Sequence, residues 1–203
     1  MLNKSAKISV LMILQGDFPP DIRIEKEIKA LFSQGKYEIS VLCGNSKSKP
    51  RQEIFNNIII FRLAYLKFAG KLINRLKNYP LWFNPIWIIK ALFATNRIRP
   101  KVIHVHDLPL MFLGVILANL CKAKLVYDLD ENYPATFDIW KKSGILRPIV
   151  RNKRLAIWYD RYSLKRADGV IVIEPEHKEW IYNNYHVDRE IAIVPNTVEY
   201  EYL

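Results

Sequence analysis

Residues 102–131 read VIHVHDLPLMFLGVILANLCKAKLVYDLDE, and their pattern decides the fold. Val102 to Val105 is a short, β-branched apolar run of strand length. Leu108 to Leu120 is apolar over a helix length. Lys124 to Tyr127 is a second strand. Two strands joined by a helix of this size form a parallel pair, because only a crossover long enough to hold a helix returns the chain in the same direction.

The same alternation extends both ways. Lys7 to Leu14 is a near-continuous apolar run, as in a strand buried on both faces. Gln15-Gly16-Asp17-Phe18-Pro19-Pro20 breaks it. Asp21 to Ser33 carries Ile24, Ile28, Leu31 and Phe32 at helical spacing, with Asp21 as cap and Gly35 beyond the end. Tyr37 to Cys43 and Ile58 to Phe61 read as strands, with a polar loop over 45–53 between them. Helices are predicted over 70–77, over Pro85 to Thr95 behind the Asn84-Pro85 start, from Pro148 to about Arg166, and over Pro175 to Asn183. Gly169 to Ile173 and Ile191 to Val194 complete about seven strands. The predicted class is α/β: one Rossmann-like domain over residues 1–203, with a mostly parallel sheet and helices on both faces.

In such a sheet, ligands bind along the edge formed by the strand C-termini. Gly16 and Asp17, Gly44 and Asn45, His106 and Asp107, Asp130 and Glu131, Glu174 and Asn196 all fall there. Residues two apart in a strand share a face, so His104 can be buried while His106 reaches the crevice. His-x-His-Asp is also a chelating pattern, but no further histidine sits at a strand end, and no metal is expected. Asp128-Leu129-Asp130-Glu131 concentrates carboxylates suited to acid–base work or to capping. No Walker-type loop and no G-x-G-x-x-G follows the first strand, which argues against a self-contained dinucleotide site.

Composition adds a second theme. The 203-residue chain carries a net charge of +11, but the charge is local. From Ile54 to His106 there are nine basic residues and no acidic one, and from Ile139 to Tyr159 six and none. Trp82, Phe83, Trp87, Trp140 and Trp158 lie in these segments. Basic residues beside Trp, Tyr and Leu suit an anionic membrane surface; solvated basic residues over inward-packed aromatics is the plainer reading, and nucleic acid the least favoured. No apolar stretch reaches the ~20 residues that span a bilayer. Cys43 and Cys121 share no metal-ligand spacing and read as free thiols in a reducing compartment.

Six pieces of sequence, in order, resemble the N-terminal domain of family-4-like GT-B glycosyltransferases. They are Asp17-Phe18-Pro19-Pro20-Asp21-Ile22-Arg23-Ile24-Glu25-Lys26-Glu27; Gly35 with the strand from Glu38 to Gly44; Val102 to Asp107; Tyr127-Asp128 through Glu131-Asn132-Tyr133-Pro134; Ala167 to Ile171; and Val194-Pro195-Asn196. The resemblance implies the acceptor-binding half of a GT-B enzyme. Such an enzyme transfers a hexose with retention from a nucleotide-sugar to a saccharide or lipid-linked acceptor, without cofactor or essential metal, at the cytoplasmic face of the membrane in polysaccharide biosynthesis. It implies a catalytic His106, acceptor contacts from Gly16, Arg23, Asp107, Asp130 and Glu131, and donor-side positions at Glu174 and Asn196. Many relatives carry His-Glu at Asp130-Glu131, Ser or Thr at Glu174 and Asn-Gly at Asn196-Thr197. The donor-binding half is expected on a separate or continuing chain, so residues 1–203 alone are expected to be inactive. The alternatives are a non-catalytic membrane-tethering scaffold that recruits a donor-binding chain, and a small-ligand-binding domain without glycosyl chemistry.

Overall fold

The computed structural model describes residues 6–45, 47–64, 84–132 and 153–196. The chain runs β1 (Ile8–Ile13), α1 (Ile22–Ser33), β2 (Tyr37–Cys43), β3 (Gln52–Phe55), β4 (Ile58–Arg62), α2 (Pro85–Ile98) and β5 (Val102–His106). A 3-10 turn (Leu108–Leu110) then leads into α3 (Met111–Cys121), β6 (Lys124–Leu129), α4 (Lys153–Arg166), β7 (Gly169–Val172), α5 (Pro175–Tyr185) and β8 (Ile191–Ile193). The strands form one sheet in the order β3-β4-β2-β1-β5-β6-β7-β8. Every pairing is parallel except β3 with β4.

The doubly wound α/β class predicted from sequence is therefore the fold. Two details differ. Gln52 and Glu53, read as the end of a polar loop, form an eighth strand together with Ile54 and Phe55. Asn56 and Asn57 both adopt left-handed backbone, with φ of 46° and 64°, the conformation of a tight two-residue hairpin turn. The helix predicted over 70–77 and the start of the one predicted from Pro148 lie outside the described residues.

Period two divides the core. Leu11 and Ile13 of β1, with Ile103 and Val105 of β5, face the larger cluster, which holds Trp87, Ala91 and Ala94 of α2 and Leu113 and Leu117 of α3. Val10 and Met12 face the other side, against Ile24 and Ile28 of α1. Gly114 lets α3 lie close on β5: a Cβ there would come within 2.4 Å of Val105 Cγ2. Register then fixes the site. Met12 is opposite His104, and His106 is opposite Asp128. His104, His106 and Asp128 therefore share the face on which α1 lies.

The loop before α1 is held from below. Fully buried Arg62, at the end of β4, donates through Nε and Nη2 to the carbonyl of Phe18 at 3.0 and 2.7 Å and pairs with Glu53 of β3 at 2.7 Å. The hairpin strand thus supplies the counter-charge for the arginine that fixes the loop. Asp21 caps α1 by accepting from the Ile24 amide, and Glu25 accepts from the Asp21 amide in return.

Behind the sheet, Tyr127 of β6 donates to Asp160 of α4 at 2.9 Å. Burial raises the Asp160 carboxyl to about 6, against the lowering effect of this hydrogen bond. A raised folded-state pKa favours the protonated form. The stability it contributes is full below the unfolded pKa near 4 and is lost as pH rises through 6. Asp160→Asn keeps an acceptor for Tyr127 and removes the titration. Its stability relative to wild type, measured by urea unfolding at pH 4 and pH 7.5, should improve on the order of 2–3 kcal/mol between the two pH values.

Candidate functional site at the C-terminal edge of the sheet

Arg23 and Glu27 lie one turn apart on α1, so both side chains leave the same side of the helix. Arg23 Nε pairs with Glu27 Oε1 at 3.2 Å, and Arg23 Nη2 with Asp128 Oδ1 at 2.6 Å. Arg23 Nη1 pairs with Asp130. One guanidinium thus joins α1 to the end of β6 through three carboxylates.

The second oxygens of Glu27 and Asp128 turn to the histidines. Asp128 Oδ2 lies 3.2 Å from His106 Nδ1 and 3.5 Å from His104 Nε2, and Glu27 Oε2 lies 3.8 Å from His106 Nε2. The imidazole rings lie 4.3 Å apart, centroid to centroid. Burial, and then the His104 charge, lowers His106 to about 4, so its ring is neutral near pH 7. Burial and the Asp128 charge raise Glu27 to about 7. Burial also works against ionisation of Asp128, but the two histidines outweigh it and hold this carboxyl below the usual range.

Asp107 directly follows β5, before the 3-10 turn. Burial and the neighbouring Glu131 raise its carboxyl to about 7, and Oδ1 is buried without a hydrogen-bond partner. Its backbone has φ 71° and ψ 155°, a region that strongly favours glycine and costs a side-chain-bearing residue about 1–3 kcal/mol. The Asp107 amide donates to the Asp128 carbonyl at 2.9 Å, so the chain turns while still tied to β6.

Of the residues expected from sequence, the structure gathers Arg23, His106, Asp107 and Asp130 at the ends of β5 and β6, with Glu131 beside Asp107. Gly16 follows β1, exposed, and its carbonyl accepts from the Gly44 amide at 2.9 Å. Glu174 is the exposed residue before α5, at the end of β7, and Asn196 is exposed beyond β8. These two lie one and two strands further along the edge than Asp130.

His106 is 3% exposed, and both ring nitrogens face carboxylates. It lies between Asp128 and Glu27, at the end of β5 under α1. Sequence reasoning passes over Glu27 as a site residue and gives little weight to Asp128 and His104. Glu27 is signalled by its i,i+4 spacing from Arg23, and Asp128 by strand register, which a single sequence does not display. Glu27, His104, His106 and Asp128 each bring a ligand-type atom within 4.8 Å of the others.

Comparison with solved structures defines the class. The chain is similar to sucrose-phosphate synthase from Thermosynechococcus elongatus, with a TM-score of 0.68 and 12% identity over 93% of this chain and 48% of that one. It is similar to UGT89C1 of Arabidopsis thaliana, solved with UDP-L-rhamnose, with a TM-score of 0.55 and 12% identity over 98% of this chain and 54% of that one. MurG of Acinetobacter baumannii gives a TM-score of 0.50 and 13% identity over 96% and 48%. These are GT-B glycosyltransferases, and the chain spans about half the length of each. The fold is one half of a GT-B enzyme.

The family model of Glycosyltransferase Family 4 matches residues 26–202, and the chain belongs to that family. A search of curated proteins finds no match.

Arg23→Ala should strand Glu27, Asp128 and Asp130 without their shared cation. Loss of one partner from a buried pair costs about 3–5 kcal/mol, to be read from urea unfolding at pH 7. Arg23→Lys keeps the charge without the fork and should lose less.

Proposed function

We propose that this chain is the acceptor-binding half of a retaining hexosyltransferase that uses a nucleotide-sugar and a saccharide or lipid-linked acceptor. The observation that carries the reading is Asp107: a strained backbone holds a half-buried carboxyl, one oxygen unpartnered, at the lip of the crevice of a family 4 domain. An unpartnered carboxyl oxygen is suited to accept from an acceptor hydroxyl.

In the transfer, the hydroxyl oxygen bonds to the anomeric carbon as the bond from that carbon to the nucleoside diphosphate breaks, and the hydroxyl proton leaves with the diphosphate. This half contributes position rather than an attacking group. Gly16, Asp107, Asp130 and Glu131 line the acceptor side. Glu174 and Asn196 face the donor side. Arg23 holds Asp130 in place on the acceptor side, at the position where many relatives carry a histidine. His106 acts from beneath, through Asp128 and Glu27. No organic cofactor is required, and a donor-binding half, covalently continuous or separate, supplies the nucleotide contacts.

With that half supplied, Asp107→Asn should raise the acceptor KM roughly 10–100-fold, the scale of one hydrogen bond to a charged group. Residues 1–203 alone should show no turnover of nucleotide-sugar. Robust turnover by the isolated chain, or an unchanged acceptor KM in the variant, contradicts the half-site reading.

We further propose that the domain works as a peripheral protein on the anionic cytoplasmic face of a membrane. Among the described residues no helix is long and apolar enough to cross one. The outward face of α2 supports surface binding instead: Ile89 is 69% exposed, Phe93 52% and Leu92 41%, with Ile86 one turn earlier and Lys90 and Arg97 beside them. Co-sedimentation with vesicles containing phosphatidylserine should exceed that with neutral vesicles and weaken with salt. Ile89→Asp/Phe93→Asp should abolish it. Binding indifferent to lipid charge, salt and these substitutions excludes this surface.

A further inference from the structure

A cavity of about 250 Å³ opens beside α4 and the C-terminal end of α5. It is smaller than the ~300–1,000 Å³ typical of pockets for larger ligands, so it suits a small molecule rather than a nucleotide-sugar. It is also separate from the crevice. α5 starts behind Glu174 and runs 11 residues, ~16 Å, to His186 at this pocket.

Its lining is strongly basic. Arg161, Lys165 and Arg189 face it with a single carboxylate, Asp188. With His186 neutral, the charge around the cavity is therefore positive. Helix ends explain part of this, because their last carbonyls attract cations. Arg161 Nη2 donates to the Asn184 carbonyl of α5 at 3.0 Å, and Arg189 Nη2 to the Lys165 carbonyl of α4 at 3.4 Å. Each arginine uses one contact in this way, whereas a guanidinium carries five N–H donors.

The remaining donors have no anion to meet. Among the described residues, no ion pair holds Arg161, Lys165 or Arg189. Asp168, whose carboxyl feels Arg189, is itself paired with Lys124 at 2.7 Å. The cations are also held in place beforehand. The Arg161 guanidinium lies over the ring of buried Tyr185, 5.5 Å from its centroid. The Tyr182 hydroxyl donates to the Arg189 carbonyl at 3.0 Å, which ties the loop after α5 back to that helix. Cations fixed before a ligand arrives lose less freedom when it binds.

We propose that this pocket binds one phosphate group, free or esterified. A phosphate dianion matches the surplus of three cations over one carboxylate. Its oxygens suit two guanidinium forks and an ammonium, where a carboxylate would satisfy fewer of the donors.

The test uses residues 1–203 with neither donor nor acceptor, so its failure leaves the transferase reading standing. Inorganic phosphate is titrated by calorimetry at constant ionic strength, and the backbone amides are followed by NMR. Binding should saturate at one equivalent. The amides of His186, Val187, Asp188 and Arg189 should shift, those of His106 and Asp107 should hold, and acetate should reproduce neither effect. Arg161→Gln and Lys165→Gln should each weaken binding about 10-fold or more. Lys122→Gln, which removes an exposed cation at the end of α3 outside the pocket, should leave it unchanged. A hexose phosphate that binds more tightly than phosphate assigns a soluble ester, and displacement of phosphate by vesicles containing phosphatidic acid assigns a lipid headgroup. Binding that does not saturate, that survives Lys165→Gln, or that shifts the crevice amides instead overturns the site.

Discussion

The structure turns on where Arg23 places its charge. Without it, a helix and a strand end would meet through carboxylates alone. With it, α1 is fixed over β5 and β6 by one guanidinium that reaches Glu27, Asp128 and Asp130. Planarity matters as much as charge, because the fork engages three separate carboxylates in fixed directions. The same arrangement leaves the remaining oxygens of Glu27 and Asp128 facing the histidines. Crevice floor, buried polar cluster and helix placement are thus parts of one interaction.

A second arginine makes the first one effective. Arg62 holds the Phe18 carbonyl from within the sheet, and Glu53 of the hairpin strand balances it. This pins the loop that leads into α1. Displacement of the loop would move Arg23 along with the helix. The edge hairpin, far from the crevice in strand order, therefore bears on the position of a crevice side chain.

Most of the fold is legible in the sequence because the signals are local. Apolar runs, Asn84-Pro85 and Asp21 each mark an element through its own residues, and the strand–helix alternation implies the parallel sheet. The β3 strand escapes for a local reason too: Gln52 and Glu53 are polar, and Asn56-Asn57 is a quieter turn signal than a glycine pair. The site is half legible. Strand ends point to His106, Asp107 and Asp130 by position. Partnership is a different matter. That His106 meets Asp128 follows from register, and that Glu27 meets His106 follows from helix docking. Both are tertiary facts. The burial of His106 is hidden from the sequence for the same reason, since α1 is what covers it.

Asp107 has a bearing on how this domain would respond to engineering. At φ 71° and ψ 155°, glycine is the comfortable occupant. A screen for thermal tolerance would favour Asp107→Gly, and the gain would come from relaxing the very peptide that carries the crevice carboxyl. Under the acceptor contact proposed for Asp107, stability and ligand contact are opposed at a single backbone position, so a hardier domain selected there would be a poorer half of an enzyme.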